Sequence, residues 1–291
     1  MKKNNVPLYK TKTREFHFKG IDVIMLGQNK VNEYDSSQHH RHDFFEIFLF
    51  SETAGVHELD FKEIPIEKNT LHFVTPGQIH RLKGYQAKGF VICFKEELLR
   101  LSGKKTIGDH YLFLDDFASP TIKLNDKEFM ELFVFIKSLC KELKNMSGEE
   151  FNAITNYLSI LLIKIQARIP TKILPSNGNR KRNITYEFKK KVSQHHLEHL
   201  TVQEYAGKLS ISPNYLNALC KANEGKSAIN IIHDRSLLEA KRLLAATDLS
   251  VKEISHLLNF EDVAYFNRFF KKLSFQTPGQ YRVSLNTSSD R

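Results

Sequence analysis

His40, His42 and Glu46 have the same parity, so on one extended strand their side chains would point to one face. His80, beyond the Pro76-Gly77 turn, is placed to join them from across a sheet. Three imidazoles and a carboxylate are a donor set for a first-row transition metal. They are equally a polar lining that hydrogen-bonds a small ligand or the N-terminal arm. A second group lies near the other end of the chain, where Lys221, Lys271 and Lys272 have the chemistry to meet phosphates. Charge is concentrated there. From Arg180 onward the chain carries 18 Lys+Arg against 11 Asp+Glu, whereas the preceding 179 residues carry 25 against 22. Excess positive charge on a small module is the footprint of nucleic-acid binding.

The elements that hold this basic group say nearly the same thing twice. Thr201-Val-Gln-Glu204 and Ser250-Val-Lys-Glu253 both have the capping-box spacing of a helix start. Val202, Tyr205 and Leu209 in one copy, and Val251, Ile254 and Leu258 in the other, follow at helical spacing. With one residue inserted, Leu216, Leu219, Lys221 and Ser227 align with Phe266, Phe269, Lys271 and Thr277. Two copies are too few for a solenoid, which needs three or more. Each copy reads as helix, tight turn, second helix. Ser212 caps the second helix of the first copy with Pro213 at its first position, and Asp262 caps its counterpart. Helices joined by so few residues have the helix-turn-helix format. Between the copies, Ser227 to Ala246 contains no Gly or Pro and predicts a helix of about 30 Å. A turn of B-DNA is about 34 Å, so one chain could place two helices in adjacent major grooves. Phe260, Phe266, Phe269 and Phe270 recur at helical spacing and are read as core.

The segment from about Ile184 to Leu285 resembles the DNA-binding domain of AraC/XylS-type bacterial transcription regulators. The resemblance rests on Ser212-Pro-Asn-Tyr-Leu216, Gly225-Lys-Ser227, Arg235 with Ala240-Lys-Arg-Leu-Leu244, and Tyr265-Phe-Asn-Arg-Phe-Phe-Lys-Lys272 with Thr277-Pro278 and Tyr281-Arg282. Three positions depart from the family pattern. Cys220 stands where Phe is usual, Asn259 where a turn Gly is usual, and Ser274-Phe275 replaces a residue-Gly pair. The resemblance implies base-facing positions at Asn214, Asn217 and Ala218 in the first copy, and at Val263, Ala264, Asn267 and Arg268 in the second. Asn pairs with adenine, Arg with guanine, and small apolar side chains touch the thymine methyl. It also implies a small-molecule effector, a homodimer and a contact with RNA polymerase.

Towards the N-terminus, residues from about Arg14 to Lys95 alternate as strands do. Phe44–Phe50, Val56–Lys62, Leu71–Thr75 and Phe90–Phe94 are separated by Gly55, Pro65, Pro76-Gly77 and Gly89, as in a small β-barrel or jelly roll. Through Arg41-His-Asp-Phe-Phe-Glu46, Gly55 and Pro76-Gly-Gln-Ile-His80 the run resembles the cupin-type effector domain of the same regulators. Enzymatic cupins bind metal through His-x-His-x3-Glu and a distant His. Here Pro76 directly precedes Gly77, which departs from the second cupin motif, so the expectation is an effector pocket at His40, His42, Glu46 and His80, with no metal, cofactor or catalytic residue. Residues 125–169 change to helical period, with one stripe at Phe129, Leu132, Phe133, Ile136, Leu139 and Leu143. A second runs through Phe151, Ile154, Leu158, Leu161, Leu162 and Ile165, and the Asn145–Gly148 break makes a helical hairpin, read as a dimerisation element.

The expected organisation is a multidomain α+β chain: a cupin-like barrel over 1–124, the hairpin over 125–169, a linker over 170–183 and a double helix-turn-helix over 184–285. Its length of 291 residues suits two cores. No apolar run reaches signal-peptide or membrane-span length, and Cys93, Cys140 and Cys220 are scattered without a CxxC pair. These features suggest a cytoplasmic protein with reduced thiols. The reading is a DNA-binding transcription regulator responsive to a small molecule. Its rivals are a metal-dependent cupin enzyme fused to a DNA-binding domain, and a constitutive DNA-binding scaffold with an empty barrel.

Overall fold

The computed structural model describes residues 8–9, 20–27, 37–84, 87–101, 121–144, 151–169 and 180–288. The chain divides into two compact units, one over Pro7–Leu174 and the other holding Pro175–Arg291. In the first, strands β1 (Leu8–Tyr9), β2 (Ile21–Leu26), β3 (Arg41–His42), β4 (Phe45–Phe50) and β5 (Val56–Leu59) are followed by β6 (Lys62–Pro65), β7 (Thr70–Val74), β8 (His80–Lys83) and β9 (Gly89–Phe94). Helix α1 (Glu96–Leu101), strand β10 (Thr121–Lys123) and helices α2 (Asp126–Lys144) and α3 (Phe151–Gln166) complete it.

Five strands form an antiparallel sheet in the order β10-β7-β4-β9-β2, and β6-β5-β8 form a second sheet. Alternation gives the larger sheet two unlike faces. Ile47 lies opposite Phe73 and Ile92, and Leu49 opposite Leu71 and Phe90. This face packs with Leu132, Ile136 and Leu139 of α2 and Leu158, Leu161 and Ile165 of α3 in one continuous core. On the other face Glu46 lies opposite Val74 and Cys93, and Phe48 opposite His72 and Val91. There Phe48, Phe50, Val74 and Val91 pack with Leu59 and Ile66 beneath the smaller sheet. Gly89 cannot be replaced: it has φ +139, and a Cβ would stand 1.8 Å from the Leu49 carbonyl oxygen.

Three expectations change. Among the described residues no hydrogen-bonded ladder closes the sheets into a barrel; the chain leaves β4 at Ser51 and enters the other sheet after Gly55, whose φ of +66 turns it. His40, His42 and Glu46 do not share one strand, because Asp43 and Phe44 interrupt it between β3 and β4. The helical stripes are consumed by their own unit: Leu132, Ile136, Leu139, Leu158, Leu161, Leu162 and Ile165 are all fully buried. Among the described residues, the large apolar side chains left exposed there are Met130 and Val134 on α2 and Ile160 and Ile163 on α3. The Asn145–Gly148 break lies outside the described residues.

The second unit is all helical: α4 (Arg180–His195), α5 (Val202–Lys208), α6 (Pro213–Glu224), α7 (Ala228–Ala246), α8 (Val251–Leu257), α9 (Val263–Ser274) and α10 (Pro278–Ser288). Helix α4 starts inside the segment read as a linker, whose residues 170–179 lie outside the described ones. It does so because Phe188 and Val192, with Ile184, fill the first core beside Tyr205, Leu216 and Cys220. The second core holds Ile254, Leu258, Phe260, Phe266, Phe269 and Phe270. Helix α7 serves both, giving Ala228, Ile231 and Ile232 to the first and Leu237, Ala240 and Leu244 to the second. All three cysteines are buried free thiols, and burial pushes the Cys220 thiol up to about 12.

Helix α9 ends on Phe275, which takes φ +63 where α6 ends on Gly225 at φ +68. A left-handed conformation costs a side-chain-bearing residue about 1 kcal/mol relative to glycine. Phe275 is 88% exposed, so its ring recovers little of this by packing. Phe275→Gly is therefore expected to stabilise the second unit by about 1 kcal/mol, read as a higher urea midpoint at unchanged slope.

Candidate functional site

Both helix-turn-helix copies are built by the same local interactions. The Thr201 hydroxyl accepts from the Glu204 amide while the Glu204 carboxylate accepts from the Thr201 amide, and Ser250 and Glu253 repeat the pair. Each turn contains one residue in the left-handed region, Ser210 at φ +54 and Asn259 at φ +58. Each is closed by an equivalent amide, Ile211 to the Ala206 carbonyl at 3.0 Å and Phe260 to the Ser255 carbonyl at 2.9 Å. The second helices start on Ser212 and Asp262, whose side-chain oxygens accept from Tyr215 and from Ala264 and Tyr265. Asn259 thus performs the role of the turn glycine, since asparagine tolerates this region better than most residues.

Helices α6 and α9, each of 12 residues, present matching faces. Leu216, Leu219 and Cys220 are buried in one, Phe266, Phe269 and Phe270 in the other. The opposite stripe is exposed: Asn214, Ala218 and Lys221 on α6, and Ala264, Arg268 and Lys271 on α9, with Lys272 beside it. These are the i, i+4, i+7 positions of one helical face. Arg268 engages no neighbour among the described residues, so its guanidinium fork is free for a ligand. Tyr215 and Tyr265 are also exposed, in equivalent places beside the stripes, and the sequence reading assigned neither a role.

Asn217, Val263 and Asn267 stand differently: all three are half-buried. The Asn217 side-chain oxygen accepts from the Ala228 amide at 2.9 Å, satisfying the first amide of α7. Asn267 cannot copy this, because Pro278 occupies the matching position and has no N–H. Its amide donates to the Val263 carbonyl instead, at 2.9 Å. Asn217→Ala should therefore cost about 1–2 kcal/mol of stability by orphaning a buried amide. Asn267→Ala should change stability by less than about 0.5 kcal/mol. Paired urea titrations check this; equal losses would remove the capping role.

In the first unit, a buried polar cluster joins Glu46 and His72 of the larger sheet, His57 and His80 of the smaller one, and His40 and His42 at β3. His40, His42, His57, His72, His80 and Glu46 are all at most 1% exposed. Cross-strand pairing brings them together: His40 bridges His80, and His80 lies opposite Leu59 beside His57. His42 Nε2 lies 3.0 Å from His80 Nε2 and 3.1 Å from Glu46 Oε2, and His80 Nε2 lies 3.6 Å from the same oxygen. His42 Nδ1 donates to the Phe44 carbonyl at 2.7 Å. His57 Nε2 is 3.2 Å from His80 Nδ1, and its other nitrogen is 3.3 Å from His72. Burial, reinforced by His40, His42 and His57, holds His80 well below the usual imidazole range. Burial and then His72 do the same to His57 against the pull of Glu46, and burial brings His72 to about 4. His57 and His72 were missed from sequence, although each falls in a predicted strand; only register shows that they share this interior.

A family model described as a helix-turn-helix domain matches residues 205–284. The chain is 31% identical over 141 residues to the HTH-type transcriptional regulator YtdP of Bacillus subtilis (strain 168), a match covering 48% of this chain and 17% of YtdP. It is 25% identical over 265 residues to the HTH-type transcriptional regulator YfiF of the same organism, covering 87% of this chain and 80% of YfiF. It is 24% identical over 248 residues to the HTH-type transcriptional activator RhaS of Pectobacterium carotovorum subsp. carotovorum (strain PC1), covering 84% of this chain and 86% of RhaS. Among the described residues no helix is long and apolar enough to cross a membrane. With two capped helix-turn-helix copies strung on one connecting helix, and relatives that are transcriptional regulators by name, the helical unit of this chain is an AraC-type helix-turn-helix domain.

Proposed function

We propose that this protein is a sequence-specific, DNA-binding transcription regulator that reads two successive major grooves with α6 and α9. The observation that carries this reading is the matched pair of exposed stripes, Asn214-Ala218-Lys221 and Ala264-Arg268-Lys271, on identically capped helices. Connecting helix α7 has 19 residues, about 28 Å of rise, close to the ~34 Å repeat of B-DNA. Asn214 and Ala218 read bases from α6; Ala264 and Arg268 read them from α9, with Val263 and Asn267 at the margin. Asn217 leaves the reading set, because its oxygen already holds the start of α7. Lys221, Lys271 and Lys272 meet phosphates.

The test is selection of bound genomic fragments by the full-length protein, followed by footprinting. Two protected patches about one helical turn apart per chain are expected; a single patch would overturn the two-groove reading. The unit over Pro7–Leu174 is proposed as a cupin-like sensor whose effector pocket includes His40, His42, Glu46 and His80. Residues 125–169 are proposed to dimerise through Met130, Val134, Ile160 and Ile163, the large apolar side chains left outward on α2 and α3. Val134→Glu with Ile163→Glu should convert a dimer to a monomer in light scattering while the circular-dichroism spectrum stays unchanged. A wild-type protein that is monomeric at all concentrations would sink the dimer.

A further inference from the structure

We propose that the N-terminal unit binds one divalent first-row transition-metal ion through His42 Nε2, His80 Nε2 and Glu46 Oε2. The imperfect second cupin motif suggests none, yet the donor atoms converge. The three donor atoms stand 3.0, 3.1 and 3.6 Å from one another. Ligands about 2.05 Å from a common ion would be about 2.9 Å apart at right angles and about 3.35 Å apart in a tetrahedron. The observed separations fall around these two values. They are the spacing of three ligands on one face of an ion.

The chemistry of the atoms agrees. His42 Nδ1 faces a carbonyl, which only accepts, so a neutral His42 ring carries its proton there and turns a lone pair inward from Nε2. That lone pair meets a carboxylate oxygen at 3.1 Å, which is another acceptor. Acceptors facing each other at this distance repel unless a cation or protons lie between them. Two neutral imidazoles and one carboxylate suit a divalent ion, leaving a net charge of +1 and open positions for water or a ligand oxygen.

Each donor is also held from behind, as metal ligands are. The Phe44 carbonyl fixes the His42 tautomer, and the Phe44 ring stacks on it at 4.1 Å with planes 9° apart. His57 Nε2 lies behind His80 Nδ1 at 3.2 Å. The Cys93 thiol donates to Glu46 Oε1 at 3.4 Å. Burial of all three donors separates this group from the exposed acidic clusters common on protein surfaces.

The proposal takes the sensor reading of this unit as its frame, but its test involves no DNA, so either can fail without the other. Tag-free full-length protein, stripped with chelator and dialysed, is titrated with Co2+ and followed by visible absorption. Zn2+ competition and elemental analysis give the stoichiometry. One ion per chain is expected, with a rise in Tm on metal addition. His42→Ala, His80→Ala and Glu46→Gln should each weaken affinity by about 100-fold or more, since even outer partners of metal ligands change it by 10–100-fold. His39→Ala, which removes the partner of Glu58 and none of the three donors, should leave stoichiometry unchanged. If a ligand variant fails to fold, the metal-dependent Tm of the wild type still decides. Folded wild type that takes up no ion means that protons fill the site, and the proposal is wrong. Equal uptake by all three ligand variants would place the ion elsewhere and equally overturn it.

Discussion

Glu239→Ala should lower the stability of the helical unit by about 2–3 kcal/mol. Glu239 Oε2 accepts from Arg235 Nη1 at 3.0 Å, with Arg242 Nη1 at 3.6 Å and His196 Nε2 at 3.6 Å. Arg235 is 5% exposed and Arg242 2%, so removing the carboxylate would leave two buried guanidiniums without their shared anion. Burial pushes the Glu239 carboxyl up, yet Arg235, Arg242 and His196 together outweigh it and hold it below the usual carboxylate range. The linkage follows from that direction. A depressed carboxylate gives its full stabilisation above the unfolded value near 4.5, and loses it as pH falls through the lower folded value. Urea unfolding of the variant and the wild type at pH 7 and pH 4 measures both effects. The difference between them should shrink at the lower pH. A loss below about 1 kcal/mol at pH 7 would mean that the guanidiniums find water instead. Helix α7 carries both cores, so a variant that remains folded should also bind DNA less tightly.

Arg268→Ala is the second large effect, on recognition rather than folding. Arg268 is exposed on α9 at the centre of the stripe, beside Lys271 and Lys272, for which phosphate contacts are proposed. A bidentate arginine–guanine contact contributes about 1–3 kcal/mol of base discrimination. The variant should therefore weaken binding to the cognate site by roughly tenfold or more and relax preference at one guanine. Lys271→Ala should weaken binding to all sequences alike and flatten the salt dependence by about one charge. Titrations against the cognate site and its single-base variants, at several salt concentrations, separate the two. Should Arg268→Ala lower affinity equally for every variant, Arg268 is a phosphate anchor and α9 does not read that base.

The sequence by itself determined the helical half almost completely, because its signals are local. The hydroxyl-to-Glu spacings at Thr201 and Ser250, Pro213 after Ser212, and the apolar period through Phe266, Phe269 and Phe270 each act within a few residues. The observed helices start where those residues place them. Tertiary structure decided what depends on partners distant in the chain. Asn217 and Asn267 look equivalent in sequence, and only the packing of α7 against α6 commits Asn217 to the Ala228 amide. The stripes of α2 and α3 read equally well as an interface or a core; the apolar face of the five-stranded sheet took them. His42, Glu46 and His80 share a parity in sequence, but parity does not fix distance. Their convergence to within 3.6 Å required the break at Asp43-Phe44, the pairing of β4 with β7 and β9, and the bridge between His40 and His80. Register across strands is set by burial of whole faces, which no short window of sequence contains.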